Sequence, residues 1–100
     1  MKKTFKLGQV VATAAVWELI DTNEGFSLFI SLCLSRYIAG DWGDIDDEDK
    51  ALNDNALEEG DRIMASYQIP LEVEEVYEDR IWIITEADRS VTTLLFPGDY

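Results

Sequence analysis

The sequence predicts an α+β domain in which helices come first and strands after. Three observations predict it. Apolar residues recur at helical spacing between Ala14 and Glu59, and at a spacing of two from Arg62 onward. Turn-forming residues cut the second half into short β runs. The chain has 100 residues, 47% of them hydrophobic and 11% aromatic, which suits one folded domain with a modest core rather than an acidic disordered tail.

The elements follow in order. Phe5 to Thr13 reads as a short strand or extended arm: Val10 and Val11 favour strand, and Gly8 marks a bulge or a tight approach. Thr13 is placed to cap a helix from Ala14 to about Asp21, with Val16, Leu19 and Ile20 on one face and Trp17 beside them. A second helix runs from Phe26 to Ala39. Phe26, Phe29, Ile30, Cys33, Leu34 and Tyr37 form its apolar face, Leu28 and Leu32 widen it, and Ser27, Ser31 and Ser35 lie opposite. Gly40 ends it as a left-handed cap. Trp42 follows in a turn, as a core plug or an exposed anchor. A third helix, Asp47 to Glu59, takes Asp46 or Asp47 as cap, has Leu52 and Ala56 as a thin inward stripe, and ends at Gly60. Three strands then form an antiparallel meander with the helices on one face: Arg62 to Ile69, Arg80 to Glu86, and Val91 to Phe96. Leu71 to Tyr77 either extends the first of them or forms an exposed lip.

Charge is the second theme. The formal net charge is −13. Gly40 to Arg62 alone holds ten carboxylates (Asp41, Asp44, Asp46, Asp47, Glu48, Asp49, Asp54, Glu58, Glu59, Asp61) against Lys50 and Arg62, a net −8. Glu72, Glu74 and Glu75 continue the theme in the lip. Glu58 and Glu59 stand at the wrong end of the helix dipole, so helix stability does not explain them. A chain this acidic lacks the cationic surface that neutralises phosphate or anionic lipid, so it predicts no direct nucleic-acid binding and no membrane binding. Its natural complement is a basic surface on a protein. The single Cys33 lies in an apolar run and reads as a buried thiol of a reducing, cytoplasmic setting. Lys2, Lys3 and Lys6 followed by apolar residues imitate the start of a secretory leader, but Gly8 and Gln9 interrupt the apolar part.

No catalytic signature emerges, and no catalytic residue or cofactor is assigned. Histidine is absent, which removes the usual general base and the commonest metal ligand. The glycines are scattered rather than gathered in a phosphate loop. Asp44, Asp46 and Glu48 have the spacing that begins a calcium loop, but Asp49 stands where the turn needs Gly and Asn55 where a bidentate Glu is needed, so no metal site is predicted.

Three stretches carry a family resemblance: Lys6 to Thr13 (KLGQVVAT), Gly40 to Gly60 with its GDWGD start, and Arg80 to Pro97 (RIWIITEADRSVTTLLFP). Together they resemble a family of small acidic bacterial proteins carried on plasmids and phages, often labelled plasmid-related or named after type I restriction–modification subunits. Gln68 to Glu78 departs from that pattern by being longer and more acidic. The family has no catalytic residues to transfer. The resemblance implies a mobile-element setting, in which small acidic proteins block host defence nucleases.

Two functions are therefore expected. In one, the chain inhibits a nucleic-acid-processing defence enzyme, anti-CRISPR or anti-restriction in type, by presenting Asp41, Asp44, Asp46, Asp47, Glu48, Asp49, Asp54, Glu58, Glu59, Glu72, Glu74 and Glu75 to its basic surface as a mimic of nucleic acid. In the other it is an interaction or accessory module, monomeric or homodimeric, whose acidity serves only solubility. Its working surface is then apolar: Trp42, Trp82 or the edge of the Val91 to Phe96 strand.

Overall fold

A computed structural model describes residues 5–100 and shows an α+β domain of three helices and one mixed four-stranded sheet. The elements are β1 (Gln9–Ala12), α1 (Ala14–Thr22), α2 (Glu24–Ile38), α3 (Asp47–Glu59), β2 (Ile63–Gln68), β3 (Arg80–Thr85) and β4 (Val91–Leu95), closed by a 3-10 turn at Pro97–Asp99. No helix among the described residues is long and apolar enough to cross a membrane.

The expected meander β2–β3–β4 forms, antiparallel, with Ala65 opposite Ile83 and Ile83 opposite Leu94. It is not the whole sheet. β1 adds to β4 in parallel, giving the order β1-β4-β3-β2. Gly8 makes this possible: at φ +65°, a Cβ there would lie 2.3 Å from the Ser90 carbonyl oxygen. The close approach lets the Gln9 amide donate to that oxygen at 3.0 Å. Pairing over some 80 residues leaves no local sequence mark, so the sequence places the strand but not its partner.

One sheet face is covered by α1 and α2. It carries Ile63, Ala65 and Tyr67 from β2, Ile81, Ile83 and Thr85 from β3, and Thr92 and Leu94 from β4, all buried. Phe26, Phe29, Ile30, Cys33 and Tyr37 of α2 and Val16 of α1 pack on it. Polar groups inside are matched. The Tyr37 hydroxyl lies 2.8 Å from Thr85 Oγ1, Thr85 Oγ1 lies 2.7 Å from Thr92 Oγ1, and Thr92 donates to the Leu7 carbonyl at 2.7 Å. Because Thr92 donates outward, Thr85 must donate to Thr92 and Tyr37 to Thr85. A one-way chain of hydroxyls thus crosses the core.

Several local expectations change. Leu28 and Leu32 do not widen the apolar face of α2; they are 66% and 57% exposed, on its outer side. Asn23 caps α2, accepting from the Phe26 amide at 3.0 Å, so the helix starts two residues earlier than its apolar pattern. Thr13 occupies the cap position of α1 but its hydroxyl donates to Asp99 at 2.7 Å instead. Leu71 to Tyr77 is a lip of turns, not a strand, with Leu71 and Tyr77 almost fully exposed and Val73 and Val76 packed against the core. Its Glu74 carbonyl accepts from Asn23 Nδ2 at 2.8 Å, which ties the lip to the corner between α1 and α2.

Candidate partner-binding surface

The acidic stretch closes the outer edge of β2. From Gly40 (φ +80°) the chain runs back along β2, with Trp42 turned into the core at 2% exposure against Phe5 and Tyr37. Trp42 is therefore the core plug and not an exposed anchor. Every outward main-chain amide of β2 then finds a partner in this segment. Met64 donates to Asn53 Oδ1 at 3.2 Å, Ser66 to the Trp42 carbonyl at 3.4 Å, and Gln68 to Asp44 Oδ2 at 2.7 Å. The Met64 carbonyl accepts from Asn53 Nδ2 at 2.7 Å, and the Ser66 carbonyl from the Asp44 amide at 2.6 Å. Sequence reasoning missed Asn53. It names Leu52 and Ala56 as the inward stripe of α3, whereas Asn53 and Ala56 are buried and Leu52 is 60% exposed. An amide serves better than a leucine there because it can both donate and accept at a strand edge.

Four of the candidate carboxylates have work inside the fold. Asp41 forms a two-point pair with Arg36, at 2.8 and 3.2 Å, and accepts from the Gly43 amide at 3.1 Å. Asp44 holds the Gln68 amide. Asp46 caps α3 through the Asp49 amide at 2.8 Å. Asp54 accepts the indole N–H of Trp42 at 2.9 Å, so a charged surface residue satisfies a core side chain. The charge at these positions is explained without any partner.

The rest face solvent. With Asn53, Ala56 and Leu57 turned inward, helical geometry puts Asp47 and Glu48 at one end of the opposite stripe and Glu58 and Glu59 at the other, with Ala51 and Asn55 between. The two pairs are about 16 Å apart along the axis at about 1.5 Å per residue. Asp49 is also exposed. The misplacement of Glu58 and Glu59 relative to the helix dipole is offset from another part of the chain: the Arg89 guanidinium donates to the Ala56 carbonyl at 3.1 Å and the Asp61 carbonyl at 2.7 Å. No sequence signal marks that contact, made 33 residues away. Glu72, Glu74 and Glu75 are exposed on the lip, and Glu75 has a left-handed backbone (φ 63°). The lip leaves the end of β2 at which Asp44 and Asp46 start α3, then leans toward the α1–α2 corner. The structure thus gathers Asp44 to Glu59 on one sheet edge and sets the lip carboxylates apart from it.

Among the described residues, no three Asp, Glu or Cys side chains converge as metal ligands would. The carboxylates of α3 are spread rather than focused. The apolar alternatives are also altered: Trp42 is inside, and β4 has strands on both sides, so it presents no edge. Trp82 is half-buried on the second sheet face, under the ring of Tyr100 at 5.9 Å. Compared with protein-family models, curated proteins and solved structures, the chain finds no match.

Proposed function

We propose that the protein is a non-enzymatic inhibitor that occupies the basic, nucleic-acid-binding surface of a host defence enzyme, with the outer face of α3 standing in for a phosphate backbone. The resemblance to plasmid- and phage-borne acidic proteins suggests the mobile-element, cytoplasmic setting. Charge density is the observation that supports it. Along 13 residues α3 exposes Asp47, Glu48, Glu58 and Glu59 on its outward stripe, with Asp49 and the indole-bound Asp54 exposed on its flanks. The whole helix thus carries one carboxylate per about 3 Å of axis and its outward stripe one per about 5 Å, against one charge per about 3.4 Å along a single strand of DNA. Lys50 is the only cation in the helix. The ridge is rigid, because Asn53 and Ala56 fix it to the sheet edge, so little conformational entropy is lost on docking. Its field would steer it toward a Lys/Arg channel and make the affinity fall steeply with salt.

The test is competition. Purified protein is titrated into restriction and CRISPR nucleases holding labelled duplex DNA, and displacement is read by anisotropy at low and high salt. Displacement that weakens as salt rises supports the reading. Absence of displacement from every nuclease tried, together with undiminished restriction of phage and plasmid by defended hosts that express the protein, counts against it.

A further inference from the structure

The two edges of the sheet are treated differently. The β2 edge is closed residue by residue by Asn53, Trp42 and Asp44, as described above. The β1 edge, among the described residues, has no strand, helix or side chain hydrogen-bonded to it. Gln9 and Thr13 donate inward to the Ser90 and Leu94 carbonyls, each at 3.0 Å. Alternate residues of a parallel ladder bond to the same neighbour, so Val10 and Ala12 turn their N–H and C=O groups to the open side. β1 has neither proline nor charge, the usual means of blunting an edge, and Val10 and Val11 are 44% and 37% exposed.

From this we infer that β1 is a self-association edge, on which a second copy of this chain docks antiparallel to form one continuous eight-stranded sheet. The register argues for a second copy. If Val11 lies opposite Val11 of the second copy, Val10 faces Ala12 and Ala12 faces Val10. Both are then hydrogen-bonded pairs, and all four outward groups of each strand are satisfied about a twofold axis. Charge argues for it too. Leu7 to Trp17 contains no charged residue in a chain of net charge −13, so two copies meet with uncharged strands facing. The acidic helix α3 lies at the opposite edge of the sheet. The inference does not depend on nucleic-acid mimicry, and salt separates the two: screening should weaken decoy binding but strengthen association of two like-charged copies.

Sedimentation equilibrium from micromolar to near-millimolar protein tests the inference. The wild-type mass should rise from monomer to dimer, at lower concentration in high salt. Val10→Pro removes one outward N–H without touching the β1–β4 ladder, and should weaken association by at least about tenfold with unchanged circular dichroism. Val11→Cys gives a test that does not depend on a disruptive variant. It places two thiols across the axis in a non-hydrogen-bonded pair with Cα atoms about 4.5 Å apart, within disulfide reach. It should cross-link under mild oxidation much faster than Leu71→Cys, whose side chain is 97% exposed on the lip. A wild-type chain that stays monomeric at every concentration overturns the inference, even if an extended peptide is found on β1 instead. Equal cross-linking of the two cysteine variants, or undiminished association of Val10→Pro, overturns it as well.

Discussion

Asn53 and Met64 share two hydrogen bonds, one in each direction: the Asn53 amide donates to the Met64 carbonyl at 2.7 Å and accepts from the Met64 N–H at 3.2 Å. A single helix side chain thereby takes the place of a neighbouring strand. Asn53→Ala leaves both main-chain groups unpaired beneath α3. It should cost about 2–3 kcal/mol, lowering the thermal midpoint by on the order of 10 °C, and should raise aggregation by opening the β2 edge. Calorimetry and light scattering of the variant check both effects.

The carboxylates of α3 divide by what they touch, and the division is measurable. Asp54→Ala strands the Trp42 indole N–H inside the core and should cost about 1–2 kcal/mol. Glu59→Ala, on the outward stripe, should leave the midpoint unchanged within a degree or two. Urea unfolding of the two variants decides it. Equal losses would mean that the acidic helix is held by its overall charge and not by these contacts.

Gly43 and Gly60 both have left-handed backbones, with φ +78° and +76°, but different surroundings. A Cβ at Gly43 would stand 2.2 Å from the Ser66 carbonyl oxygen and 2.6 Å from the Tyr67 ring, while at Gly60 it would meet nothing within 4 Å. Gly60→Ala should therefore cost only the backbone preference, about 1–2 kcal/mol. Gly43→Ala should cost clearly more, because it forces the Trp42–Asp44 segment off the β2 edge. Paired denaturation curves test the ordering.

Alkaline pH should unfold the protein through three buried groups. Burial pushes the Cys33 thiol up to about 12 and the Tyr37 hydroxyl up to about 12, from ordinary values of 9.0 and 10.0. Burial also raises Tyr67. Each group holds its proton more tightly when folded, so the native state binds more protons than the unfolded chain at high pH. The stability is fully present below about pH 9 and declines as pH rises toward the folded values near 12. Urea midpoints should be level through neutral pH and fall between about pH 9 and 12, with Tyr37→Phe flattening part of the slope. Native Cys33 should resist thiol reagents at pH 8 and react once the chain unfolds.

Local signals carried much of the architecture. Period and turn chemistry place three helices, the N-terminal strand and the three strands of the meander, and Asp46, Gly40 and Gly60 end or start helices where their types suggest. Gly8 is the tight approach that its position in a strand implies. What stayed hidden depends on partners distant in sequence. The parallel pairing of β1 with β4, the contact of Arg89 with the end of α3, and the indole–carboxylate bond of Trp42 and Asp54 have no short-range signature. The inward face of α3 departs from its apolar pattern for a related reason. Hydrophobicity favours Leu52, but a strand edge needs hydrogen bonds, and Asn53 supplies them. The candidate surface was legible as charge; which charges the fold itself uses was not.

The most direct test of nucleic-acid mimicry is a comparison of two charge changes in the DNA-displacement assay. Asp47→Lys, Glu48→Lys and Glu59→Lys combined alter only the outward stripe and take the net charge from −13 to −7. The triple change Glu72→Lys, Glu74→Lys and Glu75→Lys on the lip produces the same net charge. If α3 is the surface that replaces the phosphate backbone, the helix variant should keep its melting temperature and lose displacement by at least about a hundredfold, while the lip variant keeps most of it. Equal loss in both, or full displacement by the helix variant, would contradict the account.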